Sequence, residues 1–263
     1  MTASPRPAAT IMVLRDGDHG LEVLMVRRSQ KSSFFPHAWV FPGGRVDPAD
    51  QQTATRGTIA GLSDENRAFA VAAIRECFEE AGVWLGEGSS TPALRDALNS
   101  RTATLLDAPD LVADLDRIEQ WSRWITPVNE PKRYDACFFI TTLRADEANQ
   151  GANAHHDDIE TVDSVWIRPV DALNDSDCFL APPTFITLHE LTSFPTAASA
   201  MDAAATRHVQ SIMPVHSRDD ADRLVIALPG DPLHGQSGPV GLARRVVLVD
   251  GRWVIDPPSA MTS

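Results

Sequence analysis

The order of strand-like and helix-like runs in this chain predicts an α+β fold, and three observations carry that prediction. Two apolar, β-branched runs, Ala9 to Arg15 and Leu21 to Arg28, flank Asp16-Gly17-Asp18-His19-Gly20, a hairpin signature. Asp64 to Ala81 reads as a helix: at about 100° per residue, Ala70, Val71, Ile74, Cys77, Phe78 and Ala81 share one arc, as in a helix lying on a core. Further strand-like runs stand at Arg133 to Ile140, Thr161 to Arg168 and Arg244 to Ile255, the last folded across Asp250-Gly251.

The helix carries the chemistry. Glu76, Glu79 and Glu80 fall within an arc about 100° wide on the face away from the apolar stripe. Like charges at this spacing cost a few tenths of a kcal/mol per pair, roughly, in an isolated helix. Gly82 reads as the residue that ends the helix, so the carboxylates crowd the end where the backbone dipole is already negative. Hard divalent cations resolve that conflict, because carboxylate oxygens bind them and they bring phosphates with them. The plain alternative is an exposed acidic helix end. Upstream, Phe41-Pro42-Gly43-Gly44 is a turn whose paired glycines let backbone approach a ligand or metal closely.

Arg75-Glu76-x-x-Glu79-Glu80-x-Gly82-Val83, with Gly44 upstream, resembles the Nudix box. Asp50 stands where the family's glycine half has its Glu, and Gln51 to Ile74 separate it from Arg75, a longer stretch than the family's. Counting back from Arg75 puts Arg67 at that position instead, with Glu65 nearby, so two registers are open. The resemblance implies an α/β/α sandwich around a mixed β-sheet. It also implies Mg²⁺ or Mn²⁺ held by Glu76, Glu79 and Glu80 with a carbonyl of Gly43 or Gly44. Arg75 would pair with a box glutamate and fix its rotamer. Glu80, or Glu160 from a later loop, would orient or deprotonate the attacking water, with Asp157 and Asp158 as rivals of Glu160.

Pro48 to Ser63 is polar and without strand or helix periodicity, a loop inserted between the halves of the box, either a lid or substrate selector or a plain surface insertion. Thr91 to Gln120 has leucines at 94, 98, 105, 106, 111 and 115 and is expected to be a helical excursion interrupted at Pro109. Trp121 and Trp124 are core or interface anchors or, less expectedly, a base-stacking platform. The split box, the Trp121-Ser122-Arg123-Trp124-Ile125-Thr126-Pro127 segment and the Arg133-Tyr134-Asp135-Ala136-Cys137-Phe138-Phe139 strand are similar to the Nudix branch containing the peroxisomal acyl-CoA diphosphatases. The separate CoA signature of another Nudix branch fits poorly, with Ser32-Ser33 and His37 replacing its Leu-Arg and Gly. His155, His156, Asp157 and Asp158 read as a polar loop, since adjacent residues of an extended segment point apart.

These readings divide the chain into a hydrolase core over 8–173, with insertions at about 48–63 and about 91–120, and a C-terminal extension over 174–258 packed on it. Its 263 residues, 43% of them apolar, suffice for one large core. A formal charge of −13 argues against a nucleic-acid or acidic-membrane surface. Cys77, Cys137 and Cys178, odd in number and widely spaced, suggest reduced thiols and a cytoplasmic protein, and no run approaches a membrane span. The expected partner is a small nucleotide-diphosphate substrate, and a homodimer is compatible with the insertion and extension. The expected reaction is metal-dependent cleavage of a nucleoside diphosphate linked to X, with CoA or acyl-CoA as best guess. An ADP-ribose or NADH pyrophosphatase, or a nucleotide sensor that has lost hydrolysis, are the alternatives.

Overall fold

The computed structural model describes residues 3–30, 36–144, 147, 161–238 and 243–256. Strand β1 (Arg6–Gly17) alternates its apolar residues between two cores: Ile11 and Val13 face one, Met12 and Leu14 the other. A strand buried on both faces has this pattern. It turns at Asp18-His19 into β2 (Gly20–Arg28), with Gly17 opposite Gly20, the predicted hairpin. The short strands β3 (Trp39–Val40) and β4 (Gly43–Arg45) pair with β2 and β1. After β5 (Thr55–Arg56) come α1 (Arg67–Ala81), β6 (Gly86–Glu87), α2 (Pro92–Asn99) and β7 (Val112–Asp114). Strands β8 (Glu119–Ile125), β9 (Tyr134–Thr142) and β10 (Thr161–Ile167) return to the main sheet.

Helices α3 (Pro169–Asn174), α4 (Pro182–Leu191) and α5 (Ala197–Ala205) follow, then β11 (Ser211–Ile212), β12 (Val215–Arg218), β13 (Leu224–Ala227), β14 (Arg245–Val249) and β15 (Arg252–Ile255). The main sheet runs β10-β2-β1-β9-β8-β11 and is mixed, since β1 and β9 are parallel while β1 and β2 are antiparallel. Helix α1 covers one face through Ala70, Ile74, Cys77 and Phe78. Helices α4 and α5 cover the other through Phe185, Leu188, Ala197 and Ala200, against Met12, Leu14 and Trp121. The expected sandwich is therefore present, and its second helical layer comes from residues beyond 173. The strands β12-β13-β14-β15 form a separate antiparallel sheet whose Ile226, Leu228 and Val246 join that second core. Among the described residues no helix is long and apolar enough to cross a membrane.

The helical excursion expected over 91–120 is a correction. Helix is confined to α2, which Thr91 caps by accepting the Leu94 amide at 3.2 Å. Thr104 and Asp107 then hold a single tight turn, and β7 lies between β5 and β6. Leu98, Leu105, Leu111 and Leu115 are buried as the periodicity required, each from a different local structure. The loop over 48–63 is not structureless either. It opens with a 3₁₀ turn at Pro48–Gln51, pairs β5 with β7, and buries Asp50, Thr53 and Ile59.

Candidate active site

Helix α1 ends as its sequence dictates. Gly82 takes the left-handed conformation, φ 74°, and its amide donates to the Phe78 carbonyl at 2.9 Å, a geometry that glycine adopts without a Cβ penalty. The helix is enclosed nearly all round, because β4 and the Pro48–Gln51 turn lie against the face opposite its apolar stripe. Glu76, Glu79 and Glu80 are therefore buried, and the exposed acidic end is ruled out.

Arg75 organises the carboxylates. Its Nε donates to Asp50 Oδ1 at 2.9 Å and its Nη2 to Asp50 Oδ2 at 3.1 Å. Its Nη1 donates to Glu76 Oε1 at 2.9 Å and to Glu79 Oε1 at 3.0 Å, and Nη2 also reaches the Arg45 carbonyl at 2.8 Å. Burial works against this guanidinium, but the charges of Glu76, Asp50 and Glu79 outweigh it and hold its pKa above the ordinary arginine value. The Glu79 pKa is raised as well, in its case by burial, against the pull of Arg75 and Arg101.

The two sequence registers are thereby resolved in favour of Asp50. Asp50 is fully buried on Arg75 and also accepts the Asp47 amide at 2.7 Å. Arg67 points instead to the inserted loop, donating to the Gln51 and Thr53 carbonyls and to Thr55 Oγ1.

The glycines are needed for contact. The Gly43 amide donates to Glu80 Oε2 at 2.9 Å, and a Cβ on Gly44 would overlap the Glu76 carboxylate. At the end of the helix, Arg95 of α2 donates from Nε to the Glu79 carbonyl at 2.9 Å and from Nη2 to the Glu80 carbonyl at 3.0 Å. Asn99 adds a bond to the Glu79 carbonyl at 3.1 Å. A cation thus sits on the negative end of the dipole, offsetting the crowding that the sequence posed as a problem. Sequence reading missed Arg95 and Asn99: Gly82 marks where the helix stops, but nothing local marks which later residue caps it.

The donor set suits a hard divalent ion. Four buried carboxylates, Asp50, Glu76, Glu79 and Glu80, carry more negative charge than Arg75 alone offsets, and oxygen ligands are what Mg²⁺ and Mn²⁺ take. Among the described residues no three acidic, histidine or cysteine side chains form a ready cage. Glu76 and Glu79 turn onto Arg75 and Glu80 onto the Gly43 amide, so coordination would exchange these hydrogen bonds for metal bonds. Glu160, with His155, His156, Asp157 and Asp158, lies outside the described residues.

Trp121 and Trp124 are core residues. Trp121 is fully buried, donates to Glu190 Oε2 at 2.9 Å and lies under the Arg207 guanidinium, which leaves no open face for a base. The cysteines are free, and burial pushes the Cys137 and Cys178 thiols up to about 12.

The sequence pattern of the NUDT19 Nudix domain matches residues 54–191, a span that includes the Arg75-Glu76-x-x-Glu79-Glu80 helix. The chain belongs to the NUDT19 Nudix family. It is a Nudix hydrolase related to "Acyl-coenzyme A diphosphatase NUDT19" of Gallus gallus, with 26% identity over 89% of this chain and 78% of that protein. "Putative nudix hydrolase 7" of Caenorhabditis elegans is 30% identical over 67% of this chain and 56% of its own length. Among solved structures, a NUDIX hydrolase from Alicyclobacillus acidocaldarius superposes with a TM-score of 0.65 at 28% identity, covering 77% of this chain and 97% of that one. The Nudix sandwich is common to both.

Proposed function

We propose that this Nudix hydrolase cleaves the diphosphate of CoA or an acyl-CoA in a reaction dependent on Mg²⁺ or Mn²⁺. The observation that carries the reading is the buried set Glu76, Glu79 and Glu80, the first two held by Arg75 and Glu80 by the amide of the Gly43-Gly44 turn. The CoA assignment is supported by relatives named acyl-coenzyme A diphosphatases that align over most of this chain.

The substrate's diphosphate oxygens repel a nucleophile. A divalent ion held by Glu76, Glu79 and Glu80 with a carbonyl of Gly43 or Gly44 would neutralise those oxygens and acidify the attacking water. The chain's own groups do the rest. Arg75 fixes the rotamers of Glu76 and Glu79, and the Gly43 amide orients Glu80. Glu80, or Glu160, takes the proton from water as its oxygen bonds to phosphorus. The bond from phosphorus to the bridging oxygen breaks, and the second phosphate leaves with that oxygen. From CoA the products are 3′,5′-ADP and phosphopantetheine.

The test is incubation of the purified protein with Mg²⁺ and, separately, CoA, acetyl-CoA, ADP-ribose and NADH, with products identified by mass spectrometry. Release of 3′,5′-ADP with a phosphopantetheine is expected. AMP from ADP-ribose or NADH, with CoA untouched, would move the substrate to that class. Binding of a nucleotide without any product would make the protein a sensor.

A further inference from the structure

A cavity of about 290 Å³ lies on the face of the main sheet away from α1, between β8 and the chain that follows α3. Trp124, Ile186, Ile212, Leu228 and Pro229 give it apolar walls. Its size is near the lower end for a small-molecule site.

The polar groups of this cavity are of two kinds. Glu190, Arg207 and Trp121 form a closed unit. Glu190 Oε2 accepts from Trp121 Nε1 and from Arg207 Nη2, both at 2.9 Å, and Oε1 accepts from the same Nη2 at 3.2 Å. The guanidinium carbon lies 4.2 Å from the centroid of the Trp121 ring. That unit fastens α4 and the chain after α5 to β8, which accounts for its three residues as structural ones.

Two hydroxyls on the cavity wall have no such account. Thr187, three residues before Glu190 on α4, is 1% exposed, and its hydroxyl has no hydrogen-bond partner among the described residues. Ser122 is buried too. Its Oγ accepts from Trp124 Nε1 at 3.1 Å, and its own proton has no acceptor among the described residues. A buried hydroxyl left unpaired is destabilising, and valine at position 187 would fill nearly the same volume without that penalty. The cavity thus offers donors that lack an acceptor.

The charge of the wall narrows the match. Glu190 and Arg207 offset one another, so an anion here would bring an uncompensated negative charge beside a carboxylate whose pKa burial already raises. An uncharged carbonyl oxygen has two lone pairs and can accept from both hydroxyls without that penalty. The apolar walls suit an aliphatic body behind it.

We infer that this cavity is a second ligand site, taking a small apolar molecule headed by an uncharged carbonyl whose oxygen accepts from Thr187 and Ser122. The main sheet stands between it and the carboxylates of α1, so its occupancy is independent of diphosphate cleavage.

Octanamide is the probe, and octylamine, with the same chain and a cationic head that only donates, is the control. EDTA keeps metal out of the titration. Calorimetry should show one octanamide bound per chain and octylamine bound roughly tenfold or more weakly. Thr187→Val keeps the side chain's shape and removes its hydroxyl. This variant should melt at or above the wild-type temperature and bind octanamide roughly fivefold or more weakly, while Thr187→Ser stays closer to wild type. The inference is overturned by a wild type that does not bind octanamide, by equal affinity for the two probes, or by wild-type affinity in Thr187→Val. A lowered melting temperature for Thr187→Val also overturns it, because the hydroxyl would then be bonded within the protein.

Discussion

Asp50 and Arg75 meet in a two-pronged ion pair, with Nε to Oδ1 at 2.9 Å and Nη2 to Oδ2 at 3.1 Å, although Gln51 to Ile74, including most of the inserted loop, lie between them in sequence. The pair restores the unit that the insertion splits. Asp50→Asn removes the charge and a matched acceptor from a buried guanidinium, and the cost of stripping one partner from such a pair is roughly 3–5 kcal/mol. Urea unfolding of Asp50→Asn should show that loss. An unchanged midpoint would mean the pair does not form in solution.

Glu80→Gln keeps the shape and can still accept from the Gly43 amide. It should unfold close to wild type and lose at least about a hundredfold in turnover of whichever diphosphate the wild type cleaves. Near-normal turnover would remove this carboxylate from the reaction.

Gly44→Ala places a methyl group where the Glu76 carboxylate lies. The carboxylate must move, so affinity for Mn²⁺, followed by electron paramagnetic resonance, should fall about tenfold or more while the fold persists. An unaltered affinity would show that Glu76 is not held against this turn when metal is bound.

Arg95→Ala removes a cation and its hydrogen bonds to the Glu79 and Glu80 carbonyls at the end of α1. A destabilisation of about 1–2 kcal/mol is expected in thermal melts, with Lys recovering part of it.

Asp231 gives a pH-dependent case away from the site. Its carboxylate is buried and bridges to Arg245 Nε at 2.8 Å and Nη2 at 3.0 Å. Burial opposes ionisation, but Arg245 and the Leu233 amide outweigh it and hold the pKa below the usual aspartate value. A group lowered on folding contributes above its unfolded pKa and loses that contribution as pH falls through its folded one. Asp231→Asn should therefore cost roughly 1–3 kcal/mol at pH 7. The gap in melting temperature from wild type should close as pH drops below the usual aspartate range.

Period and punctuation were the legible parts of this chain. Helix α1, the stop at Gly82 and the hairpins at Asp18-His19 and Asp250-Gly251 announce themselves because each rests on neighbours in sequence. The leucines from 94 to 115 mislead, because burial alone produced their spacing while Thr104, Asp107 and Pro109 broke the backbone into turns. The choice between Asp50 and Arg67 was not legible, since it depends on which side chain the loop returns to Arg75. Nor was the enclosure of the acidic face, which needs β4 and the Pro48–Gln51 turn laid against the helix.

The start of the inserted loop is clasped to helix α1, where the chain resumes beyond the loop: Asp50 by Arg75, and the Gln51 and Thr53 carbonyls by Arg67. At the loop's tip, Ala60 and Gly61 are exposed, and Gly61 has open space around it. Covalent continuity across Ala60-Gly61 is therefore not what brings the halves of the site together. Two separately made fragments divided at that bond carry the complementary groups needed to reassemble, which makes the loop tip a natural place to build a split reporter from this enzyme.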